Sequence, residues 1–270
     1  MLLSSVIIIL REVLEAALLL SILTALARQL QLNRHWIGWS LLFGLIGSIV
    51  YGVNTDIVSE WFEGVGQEVV NAIMQLTIYF MLLMYIILLT RFVNHQKISN
   101  AVLAFIMIAI STLAITREGS EIILYFFSVT GNDNHLLVVL IGMIIGGSIG
   151  ISIGLLFYYL LINLRNNWSI IIGMSLLILV AAGMVSQASL LLIQADWLPS
   201  QLPLWDTSGW LSERSAFGQL LYALIGYEAT PTALQAGLYV TGLVLPIILI
   251  LGLKAKYNRQ KHNQSLNVQK

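Results

Sequence analysis

Apolar residues run along this chain in blocks too long for one face of a soluble helix. Seven stretches stand out: Leu2–Leu26, Ile37–Val53, Val69–Leu89, Ala101–Val129, Leu136–Ile162, Trp168–Ile193 and Thr232–Leu253. A helix crossing a bilayer needs about 20 such residues. None shows the alternation over roughly 10 residues that a membrane β-strand requires. The pattern predicts an all-α membrane protein with seven transmembrane helices. One connection is long, residues 196–230, with Pro199, Pro203, three tryptophans (Trp197, Trp205, Trp210) and an amphipathic run from Ser212 to Tyr227. Tryptophans so placed read as interfacial anchors.

Composition agrees. The 270 residues are 58% hydrophobic and 10% charged, where soluble domains carry about 25% charge. Zero net charge excludes a broadly basic nucleic-acid binder. The absence of cysteine excludes disulfides, iron–sulfur clusters and thiolate zinc sites. His35, His95, His135 and His262 are scattered singly and form no ligand cluster.

The charges also give a direction. Arg28, Arg34, Arg91, Lys97, Arg165, Lys254, Lys256, Arg259, Lys261 and Lys270 fall in one set of alternating segments. The other set holds Asp56, Glu60, Glu63, Glu68, Asp133, Asp196, Asp206, Glu213 and Glu228, with Arg214 its only base. Lys and Arg stay cytoplasmic, so the amino terminus is expected outside and the carboxyl terminus inside. The acidic exterior would attract cations. Residues 254–270 read as a basic, irregular cytoplasmic tail. No cleavable signal is expected, because the first run starts beside Met1 without a basic lead and is interrupted by Arg11, Glu12 and Glu15.

Six charges remain, all inside predicted spans: Arg11, Glu12 and Glu15 in REVLE, and Arg117, Glu118 and Glu121 in REGSE. Each costs roughly 2.5–3.5 kcal/mol at a helix centre, about 8–10 kcal/mol per triad before pairing. Such groups must face the protein interior or a wet cavity. Within a triad all three lie inside an arc of about 100°. By chance R-E-x-x-E would occur about 0.01 times in a chain of this composition; here it occurs twice. The copies are 106 residues apart, on the first and fourth spans, so their helices run in opposite directions. Helices 1–3 and 4–6 thus read as an inverted repeat, about 1–98 and 99–195, followed by outer loop 196–230 and helix 7 at about 231–253. Transporters built this way bind substrate near the midplane between the repeats.

Glu12, Glu15, Glu118 and Glu121 would form an all-oxygen cage, which suits hard cations. Spacing alone ranks neither iron, manganese nor calcium first, and a proton relay through the same acids stays open. A buried network that only fixes helix packing is the bland alternative. An intramembrane enzyme or redox subunit finds no His pair for haem and no nucleophile beside a His. Gly119 would let a backbone or an ion approach closely, or simply pack. Glu60 and Glu63 form an outer recruiting site if the third helix begins there, and otherwise a solvated helix start. Asp206 and Ser208 gate the outer mouth or cap a loop. Pro246 would bend the last helix.

The pair R-E-x-L-E-A (Arg11–Ala16) and R-E-G-x-E (Arg117–Glu121) resembles the signature of the oxidase-dependent iron permease family of fungi and bacteria. Glu60 with Glu63-Gly64 resembles that family's acidic E-x-x-E-G segment. Leu204–Thr232 resembles its D-x-S…G-x-L…GY-x-x-x-P segment. The resemblance implies seven helices and a permease, not an enzyme, moving ferric iron into the cytoplasm across the plasma membrane. It implies iron as substrate rather than a bound cofactor, with Glu12, Glu15, Glu118 and Glu121 as metal ligands beside Arg11 and Arg117. Implied partners are an extracytoplasmic ferroxidase or peroxidase and iron-binding proteins of the same uptake system. Transport of another hard cation such as manganese, proton-coupled or outward, is the alternative. Val13 stands where the family usually has glycine, which bears on how closely helix 1 can be approached. The compact length resembles bacterial members, whose cytoplasmic membrane would be the location.

Overall fold

A computed structural model describes residues 2–93, 98–130 and 136–268. His95, Lys97, Asp133, His135 and Lys270 lie outside the described residues. The helices are α1 (Leu2–Gln29), α2 (His35–Val53), short α3 (Thr55–Ser59), α4 (Gly66–Val93), α5 (Asn100–Thr130), α6 (Leu136–Asn163), α7 (Asn166–Gln194), α8 (Ala216–Ile225) and α9 (Ala233–Val268). A 3-10 turn, Trp61–Gly64, joins α3 to α4. Among the described residues the only β-type pairing is an isolated bridge between Pro203 and Thr232. Six helices (α2, α4, α5, α6, α7, α9) are long and apolar enough to cross a membrane. Helix α1 is as long as α4, 28 residues each, but carries the REVLE charges. One expectation changes. Helix α9 continues past Leu253 to Val268, so the basic segment expected to be irregular is helical that far. Pro246 lies inside this same uninterrupted helix.

Lipid tails are as apolar as leucine, so burying Leu and Ile does not by itself drive these helices together. Close contact through small residues does. The buried positions of α2 recur every fourth residue: Trp36, Ser40, Gly44, Ser48, Gly52. On α6 the same spacing gives Gly142, Gly146, Gly150 and Gly154. The first stripe meets α5 and the second meets α1. A Cβ at Gly44 would lie 2.7 Å from Ile115, and one at Gly146 would lie 2.5 Å from the Val6 carbonyl oxygen. Gly52 faces Ile123, and Gly154 faces Ala17.

These contacts come in pairs. Exchanging α1, α2, α4 with α5, α6, α7 turns the α1–α6 contact into α5–α2, and the α4–α5 contact into α7–α1; all four occur. The α1–α5 and α4–α7 contacts map onto themselves. Ser5, before the first motif, bonds Tyr125, after the second (Oγ to OH, 2.7 Å). Beyond Glu15, Leu19, Ile22 and Leu26 share one apolar cluster with Leu103, Met107 and Ile110, which precede Arg117. Helices α1 and α5 therefore cross antiparallel at their motifs. Helix α9 packs outside this arrangement, on α7 and α4. The outward faces carry exposed apolar residues such as Leu45, Ile49, Ile144, Leu156 and Ile248.

Candidate cation site at the crossing of two helices

The antiparallel crossing sets the two triads against each other. One carboxylate oxygen from each of Glu12, Glu15 and Glu118 lies within 4.8 Å of the others. Arg117 is their common partner. Its guanidinium pairs with Glu118, with Glu15 Oε2 at 3.5 Å and with Glu121 Oε1 at 3.5 Å. Arg11 Nε reaches the other oxygen of Glu15, also at 3.5 Å. Three of the four predicted carboxylates thus converge, and the fourth joins through Arg117. Glu12, Arg117 and Glu118 are buried, whereas the Glu121 side chain is 31% exposed. Glu118 Oε2 and Arg117 Nε are buried without a hydrogen-bond partner among the described residues. With four carboxylates against two arginines, the charge at formal ionisation is two negative. Such a group attracts cations, and all its donors are hard oxygens.

Close approach at the motifs is built differently in the two halves. A Cβ at Gly119 would lie 2.3 Å from Ser48 Oγ, so the space beside this glycine is filled by α2. In the first half Val13 occupies the matching position, and Gly150 of α6 supplies the missing volume instead. Either order of small and large residues keeps the helices close.

Two cavities reach the motifs. One, of about 340 Å³, is lined by Gln67, Glu68, Asn71, Glu121, Leu124, Leu191 and Gln194. The other, of about 390 Å³, is lined by Ser4, Ile7, Ile8, Arg11, Glu12, Arg214 and Gln219. Both lie toward the α1 amino terminus, one acidic and one flanked by arginines. On the opposite side of the motifs lies the apolar cluster of Leu19, Ile22, Leu82, Leu89, Leu103 and Ile110, none more than 1% exposed. A third cavity, of about 420 Å³, opens among Gln31, His35, Trp39 and Asn100 and ends at Ala104 and Ile108, which pack against that cluster.

The remaining predicted residues stand apart from these cavities. Helix α4 begins at Gly66, after the turn; Glu60 and Glu63 precede it, both exposed, with Glu63 at φ 67°. Asp206 is exposed and accepts from the Ser208 hydroxyl (2.6 Å) and backbone N–H (2.9 Å), which hold its carboxyl below the usual range. It shapes its own loop.

The structure adds residues that the motif pattern does not indicate. Glu68 and Asn71 of α4 line the acidic cavity that Glu121 faces. Their spacing on α4 was visible, but not which helix it faced. Tyr222 lies under Arg11, guanidinium carbon to ring centre 4.2 Å, a cation–π geometry. Helix α8 carries it there. The helix is started by Ser215, whose hydroxyl accepts from the Gly218 N–H, and stopped by Gly226 at φ 65°. Gly226 seats directly on Gly183 of α7; a Cβ on Gly183 would come within 2.9 Å of the Gly226 Cα. Between Arg11 and Tyr222 lie 210 residues of chain, so no local signal links them.

The sequence profile of the iron permease FTR1 family matches residues 2–258. No curated protein and no solved structure matches the chain.

Proposed function

The chain belongs to the iron permease FTR1 family, and we propose that it carries ferric iron inward across the plasma membrane through its two Arg-Glu-x-x-Glu motifs. The family is one of transporters, iron is their substrate, and the six apolar helices make this a multi-pass membrane protein. In our reading α1 is the first of seven spans. The amino terminus lies outside and the carboxyl terminus in the cytoplasm, with α1–α4 and α5–α7 as inverted repeats and α9 added. Support for the repeat comes from the paired helix contacts.

One observation carries the transport reading: the convergence of Glu12, Glu15 and Glu118 around Arg117, sealed on one side and reached by cavities on the other. Ferric iron delivered by an extracytoplasmic oxidase meets an acidic face, where Glu60, Glu63 and Asp206 gather cations. It descends past Glu68 and Glu121. Its charge then replaces that of Arg117 at Glu118 and Glu15, so the carboxylates exchange one counter-ion for another and never stand bare. Glu121 faces its cavity while Glu15, its counterpart in the other motif, is closed off by the apolar cluster. Exchanging the conformations of the two repeats would open Glu15 toward the cytoplasm.

Radioactive iron uptake into proteoliposomes tests this, with ferric and ferrous supply compared and manganese as competitor. Glu15→Gln and Glu121→Gln should each abolish uptake in protein that still inserts. Normal uptake by both variants would defeat the reading.

A further inference from the structure

The polar stripe on α4 continues below the acidic cavity. Glu68, Asn71 and Gln75 are spaced three and four, so they share one helix face over about 10 Å. Glu68 and Asn71 line the cavity. Gln75 lies one turn deeper, fully buried, and beyond it the buried residues are Ile78, Tyr79, Leu82 and Leu83. Helix α7 mirrors this. Gln194 lines the cavity, and Gln187 lies two turns deeper, followed by buried Ser186, Met184, Ala182, Ala181 and Val180. The two amides meet: Gln75 Nε2 donates to Gln187 Oε1 at 2.6 Å. Gln75 Oε1 is buried and has no hydrogen-bond partner among the described residues.

Position gives this pair its meaning. Asn71 of α4, Leu191 of α7 and Glu121 of α5 line the same acidic cavity. Gln75 lies one turn below Asn71, Gln187 one turn below Leu191, and Glu118 about one turn below Glu121. The amide pair therefore lies about as far beneath the cavity as the Glu118 carboxylate, and deeper on these helices the buried residues are mostly apolar, with Ser186 and Ser111 among them.

We infer that Gln75 and Gln187 belong to the cation path, supplying neutral amide oxygens to a hard cation as it passes the carboxylate cluster. This rests on the inverted-repeat transport reading above. Passage demands binding strong enough to admit the ion and weak enough to release it. A cage of carboxylates alone would hold a hard, highly charged cation too firmly. Amide oxygens are equally hard donors without the charge. Gln75 Oε1 is already free to serve, and parting the two amides frees Gln187 Oε1 as well.

Iron uptake into proteoliposomes, run with wild type and Glu15→Gln as controls, tests the inference. The double variant Gln75→Leu/Gln187→Leu leaves no unpaired amide, so a pair that merely packs could be lost without penalty. We expect it to lose about tenfold or more in maximal rate while its melting temperature holds. Gln75→Glu should lower both KM and maximal rate, each by about tenfold, because the added charge traps the ion. The inference is overturned if the double variant carries iron at the wild-type rate. Should that variant fail to insert, Gln75→Glu decides alone, and unchanged KM and rate would overturn it. Wild-type protein that carries no iron would instead sink the transport reading itself.

Discussion

Replacing Arg117 with glutamine keeps most of the side chain's bulk and removes the charge on which three carboxylates depend. Glu15 and Glu118 are 7% and 3% exposed at their side chains, so water cannot stand in for the lost partner; Glu121, at 31%, is partly screened and adds less. Removing one partner of a buried ion pair costs about 3–5 kcal/mol, because the other charge is left uncompensated. For a chain of this size that corresponds to a fall of roughly 6–20 °C in melting temperature. A hard cation bound among the same oxygens would replace the missing charge. At a concentration of 100 times Kd it restores about 2.7 kcal/mol. Arg117→Gln should therefore melt well below wild type in detergent at pH 7. It should also gain more than wild type from gallium(III), a redox-inert stand-in for ferric iron, because no arginine competes for the site. A variant that melts within about 2 °C of wild type, or gains no more than wild type from the cation, would refute a shared counter-ion at Arg117.

Other expectations follow from packing and protonation. At Gly146 an added Cβ would lie 2.5 Å from the Val6 backbone oxygen, whereas at Gly237 nothing lies within 4 Å. Gly146→Ala should lose about 1–3 kcal/mol through overpacking, and Gly237→Ala should be neutral or stabilising by up to about 1 kcal/mol; equal melting temperatures for the two would count against glycine-mediated contact. Glu228, just before α9, accepts from Gln235 Nε2 at both oxygens, yet burial pushes its carboxyl pKa upward. An acid whose folded-state pKa is raised contributes stability below its unfolded value of 4.5, and loses that contribution as pH rises through the folded value. Glu228→Gln should therefore stabilise the protein at neutral pH and flatten the decline above about pH 4.5. A wild-type melting temperature with the same pH slope as the variant's would contradict this.

The apolar runs announce the helices because a bilayer leaves backbone groups no partners other than their own. The two motifs announce themselves because ionised groups in hydrocarbon are expensive enough to need a reason. Both are local properties, readable residue by residue. The four-residue glycine spacing of α6 is also visible in the sequence, but not that it seats on α1 at Val6, Val13 and Ala17. Acidic position was a weaker guide. Glu60, Glu63 and Asp206 resemble a family pattern yet line neither cavity at the motifs, while Glu68, on the first turn of α4, does.

From its own residues the chain thus determined a helical membrane body, two charged segments in opposed spans, and carboxylate oxygen as the donor those segments offer. Tertiary structure decided which oxygens meet, that Arg117 rather than Arg11 is their common partner, that Tyr222 lies beneath Arg11, and that two cavities reach the site from the side of the α1 amino terminus. The division has a physical cause. Cost in hydrocarbon depends on what a residue is, whereas convergence depends on the depth and rotation at which separate helices cross, and small residues far from the motifs set both.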